Sequence, residues 1–110
     1  KGLEYPDNDP DFYRELLRLF TEEAPKSLER LSSALADNDL ELYTTLVHGL
    51  KNNARGIGAD SAGELCFEAE QTARAGNSAP LPELHLKIEQ AITEAAAEAA
   101  RLSKAEKITQ

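Results

Sequence analysis

From Phe12 onward the apolar residues fall at Phe12, Leu16, Phe20, Ala24, Leu28, Leu31 and Leu35, steps of four and three that suit a helix and not a strand. Pro25 lies inside this run, and the stripe keeps its phase across it, so one long kinked helix is expected rather than two. Asp9 or Asp11 with Pro10 makes a good start for it, and Asp37-Asn38-Asp39 ends it and caps the next. The second stripe, Leu40, Tyr43, Val47, Leu50, Ala54 and Ile57 with Leu46 beside it, predicts a helix over about 39–57, closed by Gly56 and Gly58. A third helix is expected over about 60–75, with Ala62, Leu65, Cys66, Ala69 and Ala73 inward. Asp60 or Ser61 is its expected cap, with Glu64 in a capping-box position relative to Ser61. Residues 76–80 read as a loop. The fourth helix starts at Leu81 or Pro82 and runs past Leu102, with Leu84, Ile88, Ala91, Ile92, Ala95, Ala99 and Leu102 as its stripe. Connections this short make successive helices antiparallel. The expected fold is all-α: an antiparallel up-down-up-down four-helix bundle over 11–105, with a short N-terminal lead-in over 1–10 and a frayed C-terminal tail over 106–110.

Composition supports this picture. The chain has 110 residues, room for one domain; 41% are hydrophobic but only 5% aromatic, with no Trp and no Met, so the core must be Leu and Ala on closely packed helices. Twelve Lys and Arg against 20 Asp and Glu give a net charge of −8, which repels a phosphate backbone and an anionic bilayer, so neither nucleic acid nor direct membrane contact is expected. No apolar run approaches the roughly 18 residues of a spanning helix, and the N-terminus has no signal-peptide pattern. The single cysteine, Cys66, makes neither an internal disulfide nor a zinc site and fits a reducing, cytoplasmic location. No Gly-rich phosphate loop is present, no metal site is expected, and beginning on Lys1 the chain reads as a fragment of a longer protein.

Two histidines remain as candidate chemistry, His48 and His85. On a helical wheel His48 points roughly 140° from the apolar centre of the second helix. Lys51, Asn52 and Arg55 share its polar side, with Glu41, Thr44 and Thr45 a turn or two earlier. The expected result is an exposed imidazole flanked by two cations and an amide. Like-charge repulsion from Lys51 and Arg55 favours the uncharged ring, and a neutral imidazole is a nucleophile. Were it to accept a phosphoryl group, the same cations would offset the new charge. Gly49 costs a mid-helix position stability but admits a close-approaching partner. On wheel geometry alone, the same features describe an ordinary surface histidine. His85 lies about 70° from its own stripe and reads as a half-buried structural residue. Cys66 reads as a small core residue, and Glu68 and Gln71 are candidates to face the His48 helix.

The string His48-Gly49-Leu50-Lys51-Asn52-Asn53-Ala54-Arg55-Gly56-Ile57-Gly58-Ala59 resembles the signature of histidine-containing phosphotransfer (HPt) domains. Glu64-Leu65-Cys66 with Glu68-Ala69-Glu70 is similar to the family's third bundle helix, and Leu19-Phe20-Thr21-Glu22-Glu23-Ala24-Pro25 to its first. The resemblance covers residues 11–75 well and the last helix only by pattern. It implies a four-helix bundle without kinase activity that relays phosphoryl groups between receiver-domain aspartates in two-component signalling. His48 would be the phosphorylated residue and Lys51 a phosphoryl-stabilising cation, with Arg55 and Asn52 beside them. Thr44, Thr45, Gly49, Asn52 and Arg55 would meet the partner, a receiver domain of a response regulator or hybrid sensor kinase. The module itself needs no cofactor, Mg²⁺ belonging to the receiver. It would be a monomer in isolation, in the cytoplasm or as the cytoplasmic part of a membrane-anchored sensor kinase. One position departs from the family: Asn52 stands where Gly is usual, on the His48 face, where it narrows access or donates to phosphate oxygens. That departure keeps a second expectation in play, an HPt-like docking or dimerisation module impaired in phosphotransfer.

Overall fold

The computed structural model describes residues 10–108, and side chains through 104. It contains four helices, α1 (Pro10–Ala36), α2 (Leu40–Gly56), α3 (Asp60–Arg74) and α4 (Leu81–Ile108). Each packs on its neighbour in the chain and α4 closes back on α1, so the expected four-helix bundle forms with all four in cyclic order. The lead-in expected over 1–10 lies outside the described residues except for Pro10, and α4 is helical to Ile108, beyond the boundary at 105. Among the described residues no helix is long and apolar enough to cross a membrane.

The helix ends explain the tight connections. Asn38 (φ 55°), Gly58 (φ 83°) and Gly76 (φ 77°) each sit one residue past a helix cap in the left-handed region, where Gly and Asn are least strained. At all three the same pair of bonds closes the helix: Asn38 N–H to Leu35 and Asp39 N–H to Ala34, Gly58 to Arg55 and Ala59 to Ala54, Gly76 to Ala73 and Asn77 to Thr72. Asp39 then caps α2 by accepting from the Leu42 amide. The expected cap of α3 is corrected. Ala59 precedes the helix with no side-chain cap, and Asp60 is already its first residue. The Gly58–Ala59 turn feeds straight into α3, so the capping position falls on Ala59, whose methyl group offers the first-turn amides no acceptor.

The core follows the stripes on α2, α3 and α4. On α1 it does not follow the expected line. Leu17, Phe20, Ala24, Leu31 and Ala34 are buried, whereas Phe12 is 53% exposed and Leu16, Leu28 and Leu35 are only partly covered. A strict four-residue step overshoots the helical turn by about 40° each time, so a line begun at Phe12 drifts off the buried face. The helix nevertheless continues unbroken through Pro25. Tyr13 donates to the Ile57 carbonyl at 3.1 Å and ties the start of α1 to the end of α2.

A polar cluster sits within the core. His85, 6% exposed, is hydrogen-bonded through Nε2 to the Ser32 hydroxyl (2.9 Å) and through Nδ1 to the Tyr43 hydroxyl (3.2 Å). It is structural, as expected, and more deeply buried than the wheel suggested. Cys66 is fully buried and burial pushes its thiol up to about 12, leaving it an inert core residue.

Candidate functional site

Helix α2 buries Tyr43, Val47, Leu50 and Ala54 along one seam, which turns His48 outward, its side chain 51% exposed. The neighbours of the ring differ from those expected. Lys51 is not an exposed cation: it is 8% exposed, and its Nζ donates to Glu70 Oε1 at 2.8 Å. The polar-side placement of Lys51 is corrected: four residues after Val47 and three before Ala54, it lies at the edge of the buried seam of α2, where α3 packs over it. Glu68 and Gln71 do not face α2 and are exposed; Glu70, between them, does.

Glu70, with a side chain 3% exposed, joins the cluster. Its Oε2 accepts from His48 Nδ1 at 2.8 Å and from Arg74 at 2.6 Å, its Oε1 from Lys51. Burial alone would push this carboxyl up; the hydrogen bonds from Lys51, His48 and Arg74 overcome it and hold the group at about 2. An ionised carboxylate only accepts. Nδ1 of His48 therefore carries the hydrogen, and in the neutral ring the lone pair lies on Nε2, the nitrogen facing away from Glu70. One carboxylate against two cations leaves an excess positive charge beside a nucleophilic nitrogen, an arrangement that can receive a phosphoryl group. Among the described residues no group of three or more His, Cys, Asp or Glu is placed to hold a metal ion.

Of the other expected site residues, Asn52 is beside the ring, its amide nitrogen 3.4 Å from Nε2. Arg55 points toward α3 instead. Its guanidinium lies 3.9 Å from Glu64 and 5.9 Å from the centre of the Phe67 ring, over which Lys51 Nζ also sits at 5.5 Å. Arg55 reaches across because α3 has Gly63 there: a Cβ at that position would lie 2.9 Å from Arg55 Cγ. Thr44 and Thr45 turn their hydroxyls back to the Leu40 and Glu41 carbonyls. Gly49 is open, with nothing within 4 Å of where a Cβ would be. Gly49→Ala should therefore stabilise the fold by about 0.5–1 kcal/mol through helix propensity alone. The check is a thermal melt followed by circular dichroism, where a midpoint rise of several degrees is expected.

Glu70, Arg74 and Phe67 were missed by sequence reasoning. One signal was available. Glu70 falls one position from Ala69 and four from Cys66, on the inward stripe of α3, where an unpaired carboxylate is untenable. A groove between α1 and α2 that reaches Asn52 is lined by Leu16, Leu19, Phe20, Glu23, Asn52, Asn53, Gly56 and Ile57, and Leu19 on its α1 side is 41% exposed.

A family model described as Hpt domain matches residues 15–98. No curated protein sequence matches the chain. Among solved structures, the chain is similar to histidine-containing phosphotransfer protein B (HptB) of Pseudomonas aeruginosa PAO1, at a TM-score of 0.80 and 24% identity over 86% of this chain and 82% of that one. It is also similar to the HPT domain of a sensor hybrid histidine kinase from Shewanella, at a TM-score of 0.74 and 20% identity over 81% and 77%. At these identities the likeness to the two structures is one of fold.

Proposed function

The chain belongs to the Hpt domain family, the histidine phosphotransfer modules of phosphorelays, and from that premise we propose that His48 is the residue that carries the phosphoryl group. The observation that supports this most directly is the hydrogen bond from Nδ1 to the buried Glu70 carboxylate, which leaves the Nε2 lone pair turned outward. Nε2 attacks the phosphorus of a receiver aspartyl phosphate. The Nε2–P bond forms as the bond from phosphorus to the aspartyl oxygen breaks, and the aspartate leaves as a carboxylate. Nδ1 keeps its proton, so the phosphorylated ring is a cation, matched by Glu70 at 2.8 Å. The reverse step hands the group to a second receiver. Catalysis here is positioning and charge compensation, with no kinase chemistry in this chain. Mg²⁺ serves from the receiver side.

Lys51 steadies the loaded site through Glu70, and Asn52 is near enough to donate to phosphoryl oxygens. Arg55, held over Phe67, adds longer-range positive charge. The receiver docks over Thr44, Thr45, Gly49, Asn52 and Arg55 and extends into the groove toward Leu16, Leu19 and Phe20, an interface of the transient kind. The domain works as a monomer in the cytoplasm, on its own or as part of a sensor kinase. The test is transfer of labelled phosphate from a phosphorylated receiver to the wild-type chain. Label with the acid-lability and alkali-stability of a phosphoramidate is expected. A chain that takes up none overturns this reading and leaves a docking or dimerisation module.

A further inference from the structure

Asn52 stands one turn beyond His48 on the same face of α2, and its amide nitrogen lies 3.4 Å from Nε2. Two features make this contact specific. The ring cannot swivel freely, because its other nitrogen is held at 2.8 Å by a carboxylate that is itself fixed by Lys51 and Arg74. The lone pair on Nε2 needs a donor, and of the two ends of the Asn52 side chain only the amide N–H fits; the carbonyl oxygen would set lone pair against lone pair. The atom that must attack phosphorus is thus already engaged in the resting state.

We infer that Asn52 is a latch on the nucleophilic nitrogen: it occupies the Nε2 lone pair when the histidine is empty and, displaced outward on loading, holds a phosphoryl oxygen with the same N–H. This rests on the proposed role of His48 and deepens it. Loading requires the Asn52–Nε2 bond to break first, and unloading or hydrolysis requires the amide to release the phosphoryl group. Both directions are slowed, which makes this domain a slow-exchanging store of phosphate. The side chain is exposed, so it moves without disturbing the core.

Asn52→Ala removes the amide and keeps the helix, since Ala is the best helix former. With potassium phosphoramidate as the donor, the Nε2–P bond forms as the donor P–N bond breaks and ammonia leaves. A modest hydrogen bond implies that the variant loads roughly two- to tenfold faster than wild type and loses its phosphohistidine faster by a similar factor. Asn52→Asp, which sets an acceptor against the lone pair and a charge against the phosphoryl group, loads more slowly than wild type. A readout that needs no phosphate is the ¹⁵N chemical shift of His48 Nε2 in the neutral ring, which moves in Asn52→Ala when the donated hydrogen bond is lost. Wild-type loading rate, wild-type phosphohistidine lifetime and an unmoved Nε2 shift in Asn52→Ala overturn the latch. If wild type takes no label from phosphoramidate or from a receiver, the role of His48 fails instead, and the Nε2 shift alone decides whether Asn52 engages the ring.

Discussion

His48→Gln is expected to take up no phosphoryl group from a phosphorylated receiver domain, a loss to background with the fold intact. Gln presents no nucleophilic nitrogen, because its amide lone pair is delocalised into the carbonyl. Its NH₂ group is still able to donate to Glu70, so the cluster on α3 keeps a partner. The replaced side chain is half exposed, at 51%, and stability should stay within about 1 kcal/mol of wild type. The other histidine does not substitute. His85 is 6% exposed with both ring nitrogens hydrogen-bonded inside the bundle, so label on the wild-type chain is expected to trace to His48. Phosphotransfer with an acid-lability check, beside a urea melt of the same variant, makes the measurement. Wild-type labelling of a folded His48→Gln chain would place the chemistry elsewhere.

The second large effect is on stability. Glu70→Ala removes the carboxylate that pairs with the buried Lys51 ammonium at 2.8 Å. An uncompensated buried charge costs about 3–5 kcal/mol, and Lys51 sits at the lower end because its long stem lets the ammonium shift toward solvent. The same variant should lose an acid limb. Glu70 titrates near the ordinary 4.5 in the unfolded chain and at about 2 in the fold. Its contribution is therefore complete above the unfolded value and is lost as the pH falls from about 4.5 toward about 2, a difference of about 3 kcal/mol. Urea unfolding at pH 7 and pH 3 measures both: wild type loses stability between the two, and Glu70→Ala, already weakened at pH 7, loses less. A double variant, Lys51→Met with Glu70→Leu, removes both charges together and should recover much of the lost stability. A Glu70→Ala chain within about 1 kcal/mol of wild type at pH 7 would mean that Lys51 finds solvent without it.

The cost of this ion cluster bears on function. The carboxylate that neutralises Lys51 is the one that orients His48, so the folding energy invested in the pair also fixes the tautomer of the ring. Arg74, which shares Glu70 Oε2 with His48, completes the set without being buried, its side chain 61% exposed. The excess positive charge near Nε2 is therefore small and local, while the chain as a whole carries −8. A net charge of that sign gives no long-range attraction to an acidic partner, so any such partner would rely on the positioned cations instead.

Local rules made much of this protein readable in one dimension. The three short connections were legible because Asn38, Gly58 and Gly76 are the residues that tolerate a positive φ. The outward turn of His48 was legible because a helix fixes direction residue by residue once one face is apolar. What only the packed structure decided lies between helices. Lys51 looked solvated because it lies a turn from the outward His48, yet it also flanks the buried seam four residues after Val47, and only the packing of α3 over that edge decides that it is covered. Arg55 looked like a companion of His48, yet Gly63 on α3 opens the path that carries it over Phe67. Glu70 reaches His48 across 22 positions in the chain, and that meeting depends on how two helices are rotated about their axes. Sequence periodicity determines each helix's own faces; mutual rotation is set by close packing at the interface, which is why the fold and the outward turn of His48 were visible beforehand and the charge cluster that orients its ring was not.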